Sequence, residues 1–526
     1  MKISYKRLRL LGVIYAVLPI IVFYAGWLAL AAALIFSAAA VSGCFFFSRS
    51  SDDGEYPSVH ISGGKIIAVA AIALVWCFLA GQGGFIHQSA DNIIRNAIFR
   101  DMIRLPWPVV YDGDQLLSYY IAQWIIPAAI GKAVLAFTGS EGAAFLAGRI
   151  ALLIWSTIGI FIALLLVSVI TAKNQKAKVL LPSLMLIFFS GLDILGLLIS
   201  NGENGEHIEW WAEFAQFSSF TTCLFWVYNQ FIVILIITLC LIHEKTPMNF
   251  AFLGILILPY GPFPFMGIVM ICIIKAMVFL TGEYRKGKLS EGIKTTLSLQ
   301  NIIMLLAVGI PFGLYYMSNA IISNDIYREG ENLNTGFRFH AELSGYISDG
   351  NTEGIAMFLA RYLLFIILEA GLYFIIIMLY HQRTHRRDMT FILSSATLLF
   401  IPLFQIGTAY DFSMRVSIPA LIYICVELIR VVNEDISSDE ALKDPRKFMN
   451  AKNAKPVLTT ALLIFCIGAV TAFIEFNREI TNTIFFGAEN ETSSSYIYSM
   501  NDYSSKENFV AVGYKNSLFY KYLLKK

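Results

Sequence analysis

Apolar residues in this chain come in long unbroken runs rather than in alternation with polar ones. Such runs occupy about 9–26, 27–47, 65–82, 146–170, 178–198, 226–243, 248–260, 262–280, 300–320, 355–380, 390–406, 416–432 and 457–476. Most approach the roughly 20 apolar residues that cross about 30 Å of hydrocarbon. Backbone in lipid has to satisfy its own hydrogen bonds, so each run is predicted to be a helix. The expected fold is an all-α, polytopic transmembrane helical bundle of about 13 spans.

Two places break the simple pattern. Pro259-Tyr260-Gly261-Pro262-Phe263-Pro264 cannot continue one helix, so a short or partial crossing ends there. Leu116–Phe137 is apolar enough to count as a span. It carries Gln123, Pro127 and Lys132 and begins with Ser118-Tyr119-Tyr120, so it is read as an amphipathic helix lying flat in the outer interface.

That choice follows from charge. Lys2, Lys6, Arg7 and Arg9 place the N-terminus in the cytoplasm. Lys173, Lys176 and Lys178, then Arg285, Lys286 and Lys288, then Arg383, Arg386 and Arg387 mark cytoplasmic loops. Treating 116–137 as a crossing would invert these loops. The outer segments are then about 83–142, 200–225, 319–353, a short turn at 407–415 and a tail at 477–526. The 433–455 loop, mixed in charge, is a cytoplasmic linker.

Composition agrees with the pattern. Of 526 residues, 57% are hydrophobic and 14% charged, with a mean hydropathy of +0.66. Soluble domains carry about 25% charged residues. The seven cysteines lie in or beside apolar runs without C-x-x-C spacing, which indicates neither a zinc site nor a disulfide framework. Val41-Ser42-Gly43-Cys44 looks like a lipoprotein cleavage box, but the apolar stretch is too long and runs on through Phe45-Phe46-Phe47. No P-loop, Rossmann glycine pattern or Ser-His-Asp arrangement is present, and nothing suggests nucleic acid as a partner.

Polar residues outside the spans carry the candidate chemistry. Asp91 and Arg95, and Arg100 and Arg104, are each four apart and share a helix face. Asp91 follows the third span closely, where a carboxylate can act as a base on a substrate at the interface. Asp101, Tyr111 and Asp112 follow. Asp112-Gly113-Asp114 is a turn by composition, and its two carboxylates are alternatively a divalent-ion site. Asp193 lies near the outer end of an apolar run, a functional position by default or a carboxylate reaching water or an arginine. The second outer loop holds Glu203, Glu206, His207, Glu209, Trp210 and Trp211, suited to an interfacial belt, a metal or sugar hydroxyls. Asn229 and Gln230 suggest a cavity wall or helix-to-helix hydrogen bonds. Arg415 closes an outer turn, where it grips a phosphate or pairs with Asp411.

The order of these parts resembles the GT-C superfamily of integral membrane glycosyltransferases. It carries a long first outer loop with an early Asp, then Trp107-Pro108-Val109-Val110-Tyr111-Asp112, Tyr119-Tyr120, Gly131-Lys132 and Gly148-Arg149. The likeness covers about 65–430 and is nearest to bacterial multi-pass members with blocks like 106–132, 190–196, 207–230 and 414–419. It implies four parts: 1–64, two additional helices and a cytoplasmic loop; 65–432, the core; 433–476, a loop and last span; 477–526, the outer tail. It further implies transfer of a sugar from a polyprenyl-phosphate donor to a glycan, lipid or protein acceptor, with inversion, on the outer face of a bacterial inner membrane. Asp91 and Asp193 take the place of the catalytic acids. Arg95, Asp101, Tyr111, Asp112, Lys132, His207, Glu209, Trp210, Asn229, Gln230 and Arg415 bind substrate. Asn92 departs from members that pair two adjacent acids. No organic cofactor is implied, and a divalent cation is an open alternative. The competing classes are a transporter or flippase of lipid-linked glycans, a glycan polymerase or ligase, and a non-catalytic assembly protein.

Overall fold

The computed structural model describes residues 2–50, 57–172, 178–200, 207–319, 337–407, 410–438, 456–488, 496–504 and 506–526. Lys173, Lys176, Glu203, Glu206 and most of the 433–455 linker lie outside the described residues.

Strand β1 (Lys2–Ser4) leads into α1 (Tyr5–Trp27) and α2 (Leu30–Arg49). Strand β2 (Ser58–His60) precedes α3 (Gly63–Leu79). Next come α4 (Asp91–Arg104), β3 (Val110–Tyr111), β4 (Gln115–Leu117), α5 (Ala122–Thr138) and α6 (Glu141–Ile170). The middle of the chain holds α7 (Leu180–Ile187), α8 (Asp193–Ser200), α9 (Phe220–His243), α10 (Phe250–Ile255), α11 (Pro262–Arg285), α12 (Leu289–Thr296) and α13 (Leu299–Met317). Strand β5 (Arg338–Phe339), α14 (Ala341–Ser348), α15 (Thr352–Arg383), α16 (Met389–Phe400) and β6 (Phe404–Gln405) follow. Then come α17 (Asp411–Val416), α18 (Ile418–Ser438), α19 (Pro456–Phe486), β7 (Val510–Val512) and α20 (Leu518–Tyr522).

Among the described residues, eight helical stretches are long and apolar enough to cross a membrane: α1, α2, α6, α9, α11, Leu289–Met317, α15 and α19. Four shorter apolar stretches accompany them, Gly63–Leu79, Ala122–Thr138, Pro247–Tyr260 and Met389–Leu403. The protein is therefore an all-α membrane protein. Side-chain caps set several helix starts: Ser140, Ser219, Ser298 and Asp388 each accept a backbone N–H of the first turn. The apolar window of α9 is 94% buried and that of α2 only 22%, so α9 is the central helix and α2 faces outward. Leu30, Leu34, Ile35 and Val41 on α2 are exposed as a lipid-facing stripe.

The two ends of the bundle differ. At one end β1 pairs antiparallel with β2, and Arg9 bonds Glu244 and the carbonyls of Phe47 and Ser50. Asn249, Gln300 and Asn301 join this end. At the other end β3, β4 and β7 form a three-stranded antiparallel sheet. There Leu28 bridges Leu524, and the Lys525 amide donates to the Trp27 carbonyl. The tail is thus fastened to the first loop and to the α1–α2 turn.

Two elements differ from the sequence expectation. The run at 178–198 is not one helix, because the chain unwinds between α7 and α8 at Phe188–Leu192. The break is packed rather than loose, for the Leu192 amide donates to the Leu368 carbonyl at 3.1 Å. Second, the 116–137 segment is not one continuous helix. Residues 115–117 are a strand, and α5 runs antiparallel along α6, with Gln123 near Ser156 and Gly131 against the Ala144 carbonyl. A Cβ at Gly131 would lie 2.9 Å from that carbonyl, so only glycine allows the approach. The polar residues that suggested a flat helix point inward instead: Gln123 is fully buried and bonds Tyr15.

Candidate functional site

The end of the bundle that carries the tail brings the first loop and α17 together. Helix α4 starts at Asp91, where the N-terminal dipole favours an acid. The Asp91 side chain is 45% exposed and accepts a bond from Arg95 at 2.9 Å. Arg95 is buried and also donates to the carbonyl of Trp226. Val227 has non-helical backbone angles, so α9 kinks there and leaves that carbonyl available.

Arg415, on α17, is equally buried and donates to Asp411 at 2.6 Å. Its Nε has no hydrogen-bond partner among the described residues. Burial works against the charge of both arginines. The Asp411 carboxylate offsets it for Arg415 and the Asp91 carboxylate for Arg95, so both stay cations. The two guanidinium groups feel each other and the same tyrosine pair, Tyr119 and Tyr120. Those rings lie 3.7 Å apart between centroids, and the Tyr119 hydroxyl donates to that of Tyr120. Burial pushes Tyr119 well above its ordinary value, so it stays neutral. On α9, three residues past Trp226, Asn229 is fully buried and neither atom of its amide has a partner among the described residues. A buried amide left this way marks space for water or a ligand.

Asp193 sits in a second, adjoining cluster. Its Oδ2 accepts from Ser190 at 2.8 Å and Thr471 at 2.7 Å. Glu369, in a π-helical turn of α15 (Ile367–Gly371), lies beside Asp193 and accepts from Trp211 at 2.8 Å. Gly191 makes the approach possible, since a Cβ there would collide with the Glu369 carboxyl.

Glu209 links the clusters. It accepts from the Ser219 amide, Thr222 and Gln216, while the Gln216 amide donates to Ser413 two residues before Arg415. Burial, then Asp193 and Glu475, push Glu209 up to about 8 against these donors. His207 lies between Glu475 and Arg478, and burial followed by Arg478 pushes it down to about 3. Arg478 also reaches Glu475, and Glu479 meets His87 at 2.6 Å.

These directions carry a pH prediction. The folded pKa of Glu209 is raised from 4.5, so the stability its proton confers is complete below about pH 4.5 and lost as pH rises through about 8. His207 is depressed from 6.5, so its contribution is present above 6.5 and lost as pH falls toward about 3. Between pH 6.5 and 8 Glu209 dominates this pair. Stability is expected to fall across that window by on the order of 1 kcal/mol. Melting of Glu209→Gln in detergent should show a flattened slope, and a slope like the native one would remove Glu209 as its source.

The remaining sequence-selected residues fall elsewhere. Asp101 accepts the Met500 amide at 2.8 Å and neighbours Tyr111, so this pair anchors the tail. Asp112 is exposed, and its amide donates to Asn501. Asp114 pairs with Lys515 on a turn with positive φ at Gly113 and Asp114, which is the plain-turn alternative. Lys132 holds the carbonyls of Ile103 and Leu105 beneath Trp107. Trp210 is half-exposed, bonded to Gln216 and edge-on to Tyr410. Gln230 is buried, its Oε1 close to Gly261. Among the described residues no three His, Cys, Asp or Glu side chains gather as a metal site. Glu369, Glu475, Arg478 and Glu479 were missed, although an acid inside an apolar helix such as Glu369 is itself a signal.

No protein-family model, curated protein or solved structure matches this chain. The fold is that of an all-α membrane protein with several apolar helices, and two buried arginines, Arg95 and Arg415, lie near the same tyrosine pair at one end.

Proposed function

We propose that this protein is a membrane glycosyltransferase of GT-C type, using a sugar carried on a polyprenyl phosphate at the outer face of a bacterial inner membrane. The observation that supports this most is the meeting of Arg95 and Arg415, from distant parts of the chain, around Tyr119 and Tyr120 beside a half-exposed Asp91. Two fixed cations suit a phosphate that gains charge as it leaves. In the step proposed, Asp91 takes the proton of the acceptor hydroxyl. The hydroxyl oxygen bonds the anomeric carbon from the face opposite the phosphate. The bond from that carbon to the phosphate oxygen breaks, and its electron pair stays on the phosphate. A single displacement inverts the anomeric centre. On this reading the N-terminus is cytoplasmic, the tail is outside, and the chain crosses about 13 times, with the 116–137 segment not among the crossings.

Reconstituted protein, given a polyprenyl-phosphate sugar labelled in the sugar, tests the arginine role. Arg415→Gln is expected to raise KM for the donor at least about tenfold, the loss of one charge-assisted contact. Unchanged donor kinetics would take Arg415 out of the site.

A second reading, a transporter of lipid-linked glycans, has its own observation. The unwound segment between α7 and α8 lies beside two buried acids, Asp193 and Glu369, and broken helices with buried acids occur in transporters. Proton-driven glycan uptake into vesicles that is abolished by Asp193→Asn, with no sugar transfer, would favour it.

A further inference from the structure

The site around Tyr119 and Tyr120 has a further wall, built by the end of α13. Tyr315 and Tyr316 are neighbours there, with ring centroids 5.3 Å apart, and their hydroxyl groups are used in opposite ways. The Tyr315 hydroxyl is fully engaged. It accepts from the Tyr119 amide at 3.0 Å and reaches the carbonyls of Leu117 and Tyr119 at 3.0 and 3.1 Å. Ser118 donates to the Tyr315 carbonyl, and Asn319 donates to the Ser118 carbonyl. The end of α13 is thus stitched to the segment that delivers the tyrosine pair.

The Tyr316 hydroxyl has no hydrogen-bond partner among the described residues, although the residue is only 8% exposed. It lies within electrostatic reach of both Tyr119 and Tyr120. A buried hydroxyl without a partner is a net cost to folding, and phenylalanine would fill the same space without it. Packing therefore gives no reason for this oxygen, whereas a bound ligand does. Arg415, beside the same tyrosine pair, likewise keeps its Nε without a partner among the described residues. Two buried donors, one from α13 and one from α17, are left open near one pair of rings.

We propose that the Tyr316 hydroxyl binds the phosphate of the ligand as a third donor beside Arg95 and Arg415. This deepens the transferase reading and rests on it for the lipid that carries the phosphate. The arginines attract any anion, while a single O–H donates along one line, so Tyr316 sets how the phosphate is turned. An uncharged phenol also adds a bond without adding to the repulsion between the two guanidinium groups.

The test uses the full chain in detergent, with binding followed by native mass spectrometry. A polyprenyl phosphate is titrated against the free polyprenol of the same length, for the native protein and for Tyr316→Phe. The native protein is expected to prefer the phosphate. Tyr316→Phe should weaken the phosphate lipid about tenfold, the worth of one hydrogen bond to a charged group, and leave the polyprenol unchanged. Its melting should be no lower than native, because no protein group loses a bond. Native affinity for the phosphate in Tyr316→Phe, equal weakening of both lipids, or no preference in the native protein would overturn the proposal. Full displacement of the lipid by millimolar inorganic phosphate would overturn the lipid as its source. The transferase reading fails separately: a native protein that prefers the phosphate through Tyr316 but transfers no labelled sugar keeps this contact and loses that activity.

Discussion

Asp91→Asn is expected to lower sugar transfer by roughly a hundredfold to ten-thousandfold, the usual worth of a positioned base. The change is nearly isosteric. The substituted amide would keep an oxygen toward Arg95, which Asp91 meets at 2.9 Å, so the arginine should keep its place. What is lost is the ability to take a proton. Binding of the donor should therefore change little while turnover falls, since the arginines, not Asp91, are assigned to the phosphate. The informative measurement is kcat and KM together, with melting as a check on folding. Native turnover in a folded Asp91→Asn protein would remove the base from the mechanism. A large rise in KM alone would make Asp91 a positioning residue for Arg95.

The second large effect concerns stability. Arg9 and Glu244 bond to each other with both side chains almost fully buried. Arg9 also holds two carbonyls and lies over Phe47 at 4.2 Å. Replacing Arg9 by Met leaves Glu244 buried with its main counter-charge gone, and breaking such a pair costs about 3–5 kcal/mol. Arg9→Met combined with Glu244→Gln should recover much of that loss, because the stranded charge is removed. A double-mutant cycle by melting in detergent measures the coupling. If the single variant melted like the native protein, the pair would contribute packing rather than charge.

The bundle itself was legible because hydrocarbon enforces helices, and apolar runs announce them without ambiguity. The basic segments around Arg9 and Arg386 lie at one end of the molecule. Finer geometry was not legible. Gln123 reads as a polar residue seeking water, yet it faces Tyr15 and Ser156 inside the bundle. The break at Ser190-Gly191 was hidden, because an unwound stretch satisfied by a neighbouring helix keeps the apolar composition of a span. In the site, Arg95, Asp91 and Arg415 came from loop position and charge. Glu369 did not, since its partner lies on another helix and no spacing rule connects them. Asp101 and Lys132 look alike in sequence to site residues, but the structure uses them as fasteners for the tail and for the end of α4.

The β3–β4–β7 sheet also carries a message about assembly order. Its first two strands emerge early from the ribosome, and the third emerges after α19, the last long apolar helix among the described residues. Until then α4 lacks Met500 against Asp101 and the tail carbonyls that Arg100 grasps. Nascent chains would thus carry Asp91 on a scaffold that the arriving tail then braces.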